Sequence, residues 1–201
     1  MADIVYTYKN GIYLNITNYC PCNCTFCIRS MGDGLGSSSN LWLTDEPSAA
    51  DVISILDHFD TTGYDSIIFC GYGEPTCAFD NLIEISKYIR WKHPQLKIRV
   101  NTNGLSDLIN KKSTAKLLCE NVDAVSISLN APSAEKYLEI TRPSFGIISF
   151  DSMLTFASEC RKYSSDVTLS VVDTLSHNDI EECRKLAAEL NIPLRIRNYG
   201  E

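Results

Sequence analysis

The sequence predicts an α/β fold, a partial (β/α)6 TIM-like barrel with parallel strands and an N-terminal β-hairpin. Three observations predict it. From Ser48 onward, short β-rich runs alternate with amphipathic helical patterns, the signature of βαβ units around a parallel sheet. Each unit takes ~30 residues, so 201 residues hold about six and fall short of the usual eight. Ahead of them, Asn10-Gly11 between two apolar runs is a strong hairpin signal. A doubly wound open sheet is the alternative arrangement of the same units. The chain shows no internal repeat and no boundary, so residues 1–201 read as a single domain.

In chain order, strands at 4–8 and 12–16 flank Lys9-Asn10-Gly11, and the second delivers the chain into a cysteine-rich stretch. Residues 31–40, MGDGLGSSSN, hold no regular element and read as a loop with a flap role near that stretch. Ser48 to Asp51 fits a capping box, followed by one helical face of Val52, Ile53, Leu56 and Phe59, with Gly63 as its stop. A strand at 66–70 follows, then a helix through Leu82, Ile83, Ser86 and Ile89 that stops before Pro94. A strand at 97–100 leads to a weaker helix, capped at Ser106 and running to about Leu118. Residues 124–129 are β-rich, Ser133 caps a helical turn, and 149–163 is a longer helix. A strand at 167–172, a helix behind a second capping box at Ser176 to Asp179, and a strand at 194–196 close the pattern.

Composition bounds the function. Hydrophobic content of 44% suits a chain that buries a sizeable core. No run reaches the ~18 apolar residues of a membrane span, and the N-terminus lacks the basic start and apolar block of a signal peptide. Nine cysteines in such a chain point to the reducing cytoplasm, where clustered thiols bind metal more often than they pair. A net charge of −7 and no basic run argue against general nucleic-acid binding.

The chemistry concentrates in residues 18–29, NYCPCNCTFCIR. Cys20, Cys24 and Cys27 form CxxxCxxC, and three thiolates on one short polar loop can converge on an iron–sulfur cluster. The next cysteine, Cys70, is far along the chain, which favours a cube with one open iron. Structural zinc is the competing reading, but it calls for four ligands as two close pairs, and no later Cys-x-x-Cys or His pair supplies them. With Phe26 as its aromatic, CxxxCx(aromatic)C resembles the signature of radical S-adenosylmethionine (SAM) enzymes. The short chain and NCTFCIR most resemble the small radical SAM proteins associated with TatD-type deoxyribonucleases.

That resemblance implies the same barrel, a [4Fe–4S] cluster on Cys20, Cys24 and Cys27, and SAM chelating the open iron. It also implies that Phe26 lies near the adenine, that Cys22 is a bystander, and that an electron donor such as flavodoxin or ferredoxin is needed. GYGEP resembles the family's Gly-Gly-Glu motif with Tyr72 inserted, which assigns Gly71, Gly73, Glu74 and Pro75 to the cofactor and Glu74 to its methionyl amino group.

Ligand sites of parallel barrels form at the C-terminal ends of the strands, and the cysteine loop, Gly71 to Pro75, Asn101 to Gly104 and Asn130 to Pro132 all fall there. Asn103, Ser128 and Asn130 offer short polar groups to ribose hydroxyls or a carboxylate, or else cap turns. Arg142 is a candidate partner of the methionyl carboxylate, or else a surface arginine. Arg195 and Arg197 alternate with apolar residues on the last strand, where one can face the interior as substrate anchor or charge partner. Cys70 and Cys77 read as small buried residues, and Cys119, Cys160 and Cys183 as scattered helix residues.

The expected function is reductive cleavage of SAM to methionine and a 5′-deoxyadenosyl radical that abstracts hydrogen from a substrate. The alternatives are an activating enzyme passing the radical to a partner protein and a non-catalytic metal-binding module. GYGEP and NTNG count against the last.

Overall fold

The computed structural model describes residues 3–199. These residues build one seven-stranded sheet whose spatial order follows the chain: β1 (Val5–Tyr8), β2 (Gly11–Leu14), β3 (Ser66–Phe69), β4 (Lys97–Thr102), β5 (Ala124–Ser128), β6 (Val167–Val172) and β7 (Leu194–Arg197). β1 is antiparallel to β2, and every later pair is parallel. β1 and β7 form the two edges, so the barrel is partial, as the count of units predicts.

One row of side chains shows how the strands divide their faces. Leu14, Phe69, Val100, Val125 and Val167 lie side by side across five strands and are all buried. They meet Val52 and Leu56 of α1 (Ala49–Asp57), Leu82 and Ile85 of α2 (Phe79–Lys92), and Met153 and Phe156 of α6 (Ile148–Tyr163) in one apolar cluster. α3 (Ser106–Asn110), α4 (Ala115–Asn121), α5 (Ala134–Thr141) and α7 (His177–Glu189) complete the outer layer. Each fully buried Leu, Ile or Phe in this layer contributes on the order of 1.5–3 kcal/mol relative to exposure. No helix is long and apolar enough to cross a membrane among the described residues.

The opposite face of the same strands is polar. Asn101, Ser126, Ser128 and Ser170 point inward, where closed barrels pack branched aliphatics. Small polar side chains leave the interior hollow, and that hollow is the site.

Local chemistry explains the element ends. At α1 the Ser48 hydroxyl accepts from the Asp51 N–H while the Asp51 carboxylate accepts from the Ser48 N–H, a complete capping box. Ser48→Ala should therefore cost about 1 kcal/mol in urea unfolding. At α7 only half of that arrangement forms. The Ser176 hydroxyl accepts from the Asp179 N–H, and the Asp179 carboxylate turns to the Ser176 hydroxyl and to Lys136.

Three readings of the sequence are corrected. α1 ends at Asp57, and Gly63, with φ +84°, belongs to the turn before β3 rather than to the helix end. The helix expected from Ser106 to Leu118 is two helices, because Asp107 draws the Thr114 N–H and hydroxyl back onto itself and Lys111 turns left-handed. Ser106 is the first helical residue rather than the cap, and its buried hydroxyl hydrogen-bonds with that of Thr114. In the hairpin, the left-handed residue is Lys9 (φ 51°), while a Cβ at Gly11 would meet the tip of the Ile68 side chain.

Candidate active site

Every strand from β2 to β7 ends on the same rim, and the rim opens into a cavity of about 250 Å³. The cysteine loop closes its upper wall with Cys20, Cys22, Cys24, Phe26 and Cys27. The loop is held at both ends. Asn15, leaving β2, donates its amide to the Leu41 carbonyl at 2.7 Å and accepts from the Tyr72 N–H. Asn18 pairs both ends of its amide with the backbone of Leu43.

The middle of the loop rests on the end of α5. A helix leaves its last carbonyls without intrahelical partners, and two of them are taken by the loop: Asn23 N–H donates to Thr141 and Thr25 N–H to Ile140, at 3.0 and 2.9 Å. The Ser144 N–H returns a bond to the Pro21 carbonyl. Arg29 ties the structure together from outside, donating to the carbonyls of Asn18 and Tyr72 while its guanidinium stacks over Trp42. Tyr72, the inserted residue of GYGEP, is buried and donates its hydroxyl to the Gly32 carbonyl. Together with Asp3, which accepts from the backbone N–H groups of Ser39 and Asn40, it straps residues 31–40 against β1. From this loop, expected to be a flap, Leu35 reaches the cavity wall.

The four thiols are not equivalent. Hydrogen bonding with Cys22 holds Cys20 and Cys24 below the usual thiol range and pushes Cys22 up. Burial pushes Cys27 up. Two of the three expected ligands are thus biased toward thiolate and the bystander toward thiol, which suits the donor set of an iron–sulfur cluster. Among the described residues no three Cys, His, Asp or Glu side chains converge closely enough to enclose one metal ion.

Glu74 is buried, on the cavity wall, and oriented by four donors. Its Oε1 accepts from the Thr76 N–H, the Thr76 hydroxyl and the Thr102 hydroxyl, and its Oε2 from the Asn103 N–H, at 2.7–3.1 Å. Burial nevertheless pushes its carboxyl above the usual range, against the pull of those four bonds. Asn103 combines the two roles that its sequence position allows. Its Oδ1 accepts from the Leu105 N–H, and its Nδ2 approaches Cys22 and Cys20 at 3.7 and 4.0 Å. Asn130 takes a left-handed backbone (φ 59°), and its Oδ1 is buried on the cavity wall with no hydrogen-bond partner among the described residues. Ser128 lines the cavity below it.

Other expected residues lie off the wall. Gly71 and Gly73 are glycines because a Cβ would collide with Asn15 and with the Thr17 carbonyl, so they permit two loops to pack rather than line the cavity. Pro75 opens the 3₁₀ turn Pro75–Ala78. Arg142 is the left-handed cap of α5, exposed and away from the cavity. Cys70, expected in the core, is half-buried on the cavity wall. Asn101 of the NTNG motif lines it too, and Tyr13, Arg99, Ser126 and Ser170, which no motif singled out, also do. Their signal is the alternation in KIRVNT and AVSIS, since parallel strands covered on both faces read as continuous apolar runs.

Comparison with known proteins agrees with this geometry. The family model described as the radical SAM superfamily matches residues 14–190. GTP 3′,8-cyclase of Paenarthrobacter nicotinovorans is 28% identical over 135 residues, 66% of this chain and 35% of that protein, so the chain spans about a third of the length of this curated relative. A radical SAM methyltransferase from Sphaerobacter thermophilus superposes with a TM-score of 0.58 over 96% of this chain and 68% of its own, at 17% identity, a likeness of fold. The chain belongs to the radical SAM superfamily, a family of enzymes that use a [4Fe–4S] cluster and S-adenosylmethionine.

Proposed function

We propose that this chain is a radical SAM enzyme that cleaves SAM reductively and directs the resulting radical at a substrate held in the barrel interior. The supporting observation is that the cysteine loop, Glu74, Asn103 and the unpaired Asn130 Oδ1 face one cavity at the C-terminal rim. When bound, the cluster supplies one electron to SAM, giving methionine and a 5′-deoxyadenosyl radical that abstracts hydrogen. Cys20, Cys24 and Cys27 hold the cluster. The Glu74 carboxylate accepts from the methionyl ammonium, a charge-assisted bond in a water-poor site, and its four donors keep it from turning away. Asn130 Oδ1 accepts from a ribose hydroxyl or the adenine amine, which relieves its desolvation penalty. Ser128 faces the ribose and Phe26 packs on the adenine.

Within the superfamily, the NCTFCIR loop supports a place beside the small TatD-associated proteins, and residues 1–201 form one radical SAM domain. Nine cysteines support a reducing, cytoplasmic setting with a flavodoxin or ferredoxin as donor. Reconstituted protein reduced anaerobically with dithionite should release 5′-deoxyadenosine and methionine in equal amounts, slowly, with no substrate added. Chromatography that finds no 5′-deoxyadenosine from protein with a full, reducible cluster would overturn this reading in favour of a metal-binding module.

A further inference from the structure

The lower half of the cavity carries a charge that the cofactor does not explain. Lys9, Arg99, Arg195 and Arg197 line the cavity, in a chain whose net charge is −7. Interior strand positions of a closed barrel are aliphatic and packed. Here they hold guanidinium groups among Ser126, Ser128 and Ser170.

Arg99 and Arg195, from β4 and β7, also share the wall of a second, smaller recess with Ser126 and Thr168, so the two side chains flank the same interior space. The Arg99 side chain bonds to Tyr13, yet its Nε–H is buried without a hydrogen-bond partner among the described residues. Asp166 also lines the smaller recess, but neither Arg99 nor Arg195 forms an ion pair among the described residues. Several like charges in one cavity repel, and a buried unpaired donor costs stability. Both penalties vanish when an anion enters, because guanidinium groups present paired donors matched to phosphate and carboxylate oxygens.

Depth separates this charge from the cofactor. Asn103, which orients Glu74, lies four residues beyond Arg99 along the strand direction, about 13 Å at the rise of a β-strand. The amino and carboxylate groups of a methionyl moiety share one carbon, so an ammonium at Glu74 places its carboxylate near the rim, not at Arg99.

We propose that the inner end of the cavity is an oxyanion subsite, in which Arg99 and Arg195 hold the phosphate or carboxylate group of a small anionic substrate. This rests on the enzymatic reading above and adds the substrate's chemical class to it. The anion anchors one end of the substrate at the arginines and leaves the other directed toward the cysteine loop.

The test is calorimetric titration of the reconstituted full chain with inorganic phosphate, pyrophosphate and malonate at constant ionic strength, in wild type, Arg99→Gln and Arg195→Gln. Saturable binding of at least one probe is expected, about tenfold or more weaker in each variant, with phosphate and malonate arms separating phosphate from carboxylate preference. SAM affinity by equilibrium dialysis should stay within about twofold of wild type. Circular dichroism checks folding, and Arg195→Gln, on an exposed edge position, carries the test if Arg99→Gln misfolds. No saturable anion binding, or undiminished binding in folded variants, would overturn the subsite. Loss of SAM affinity with anion binding retained would also overturn it, making the arginines cofactor ligands. Titration needs no turnover, so its failure is distinct from a failure to form 5′-deoxyadenosine.

Discussion

Replacing Cys20, Cys24 or Cys27 by alanine should leave a colourless protein after anaerobic reconstitution, while Cys22→Ala should still assemble about four irons per chain. The four thiols lie on one loop within eight positions, so composition alone does not distinguish them. Their surroundings do. Cys22 sits between Cys20 and Cys24 and, as a thiol, has one proton to share between them; that hydrogen bonding favours thiolate at its neighbours and disfavours it at Cys22. Removing Cys22 raises the neighbouring thiols, so assembly should slow near neutral pH and recover on mild alkalinisation, with the same final iron content. Removing a ligand instead leaves one corner of the cube unheld, and alkaline pH will not restore it. Iron analysis and visible absorbance of the four variants check both statements. A colourless Cys22→Ala beside a coloured Cys20→Ala would show that the ligand register is shifted.

Glu74→Gln should keep the cluster and lose SAM. A charge-assisted hydrogen bond contributes about 1.5–3 kcal/mol, so affinity should fall about ten- to a hundredfold by equilibrium dialysis, with 5′-deoxyadenosine release falling alongside. The loss has a second source. All four groups around the carboxylate are donors, and a glutamine amide turns its own N–H2 toward one of them. Either the threonine hydroxyls rotate away or Asn103, whose Nδ2 faces the cysteine loop, is displaced.

The wild type should also show a pH dependence that the variant lacks. Burial raises the Glu74 carboxyl above its ordinary value of 4.5. The carboxylate is the form that binds an ammonium, so affinity is full above the raised value and declines as pH falls through it. The decline should begin at a higher pH than an exposed glutamate would give, and the glutamine variant should be flat over the same range.

The parts of this protein legible in the sequence are those encoded locally. Periodicity along the chain marks which residues meet the apolar layer, so the order of strands and helices, the partial barrel and the placement of Cys20 to Cys27, Glu74, Asn103 and Asn130 beyond strand ends all follow from patterns a few residues long. CxxxCxxC is legible for the same reason, since one loop supplies every thiol.

What depended on contacts between distant residues was not legible. Gly71 and Gly73 resemble ligand-binding glycines in sequence, yet their place is decided by Asn15 and Thr17, more than 50 residues earlier, which leave no room for a Cβ. Arg142 follows a helix that supports the cysteine loop, but its left-handed cap turns it to solvent. The Asp107–Thr114 bonds break a helix that local propensity would continue. Above all, a single arginine on a strand is ordinary. Only the parallel register and curvature of the sheet bring Arg99 and Arg195, nearly a hundred residues apart, to one recess, because charge accumulates in space and the sequence records it one strand at a time.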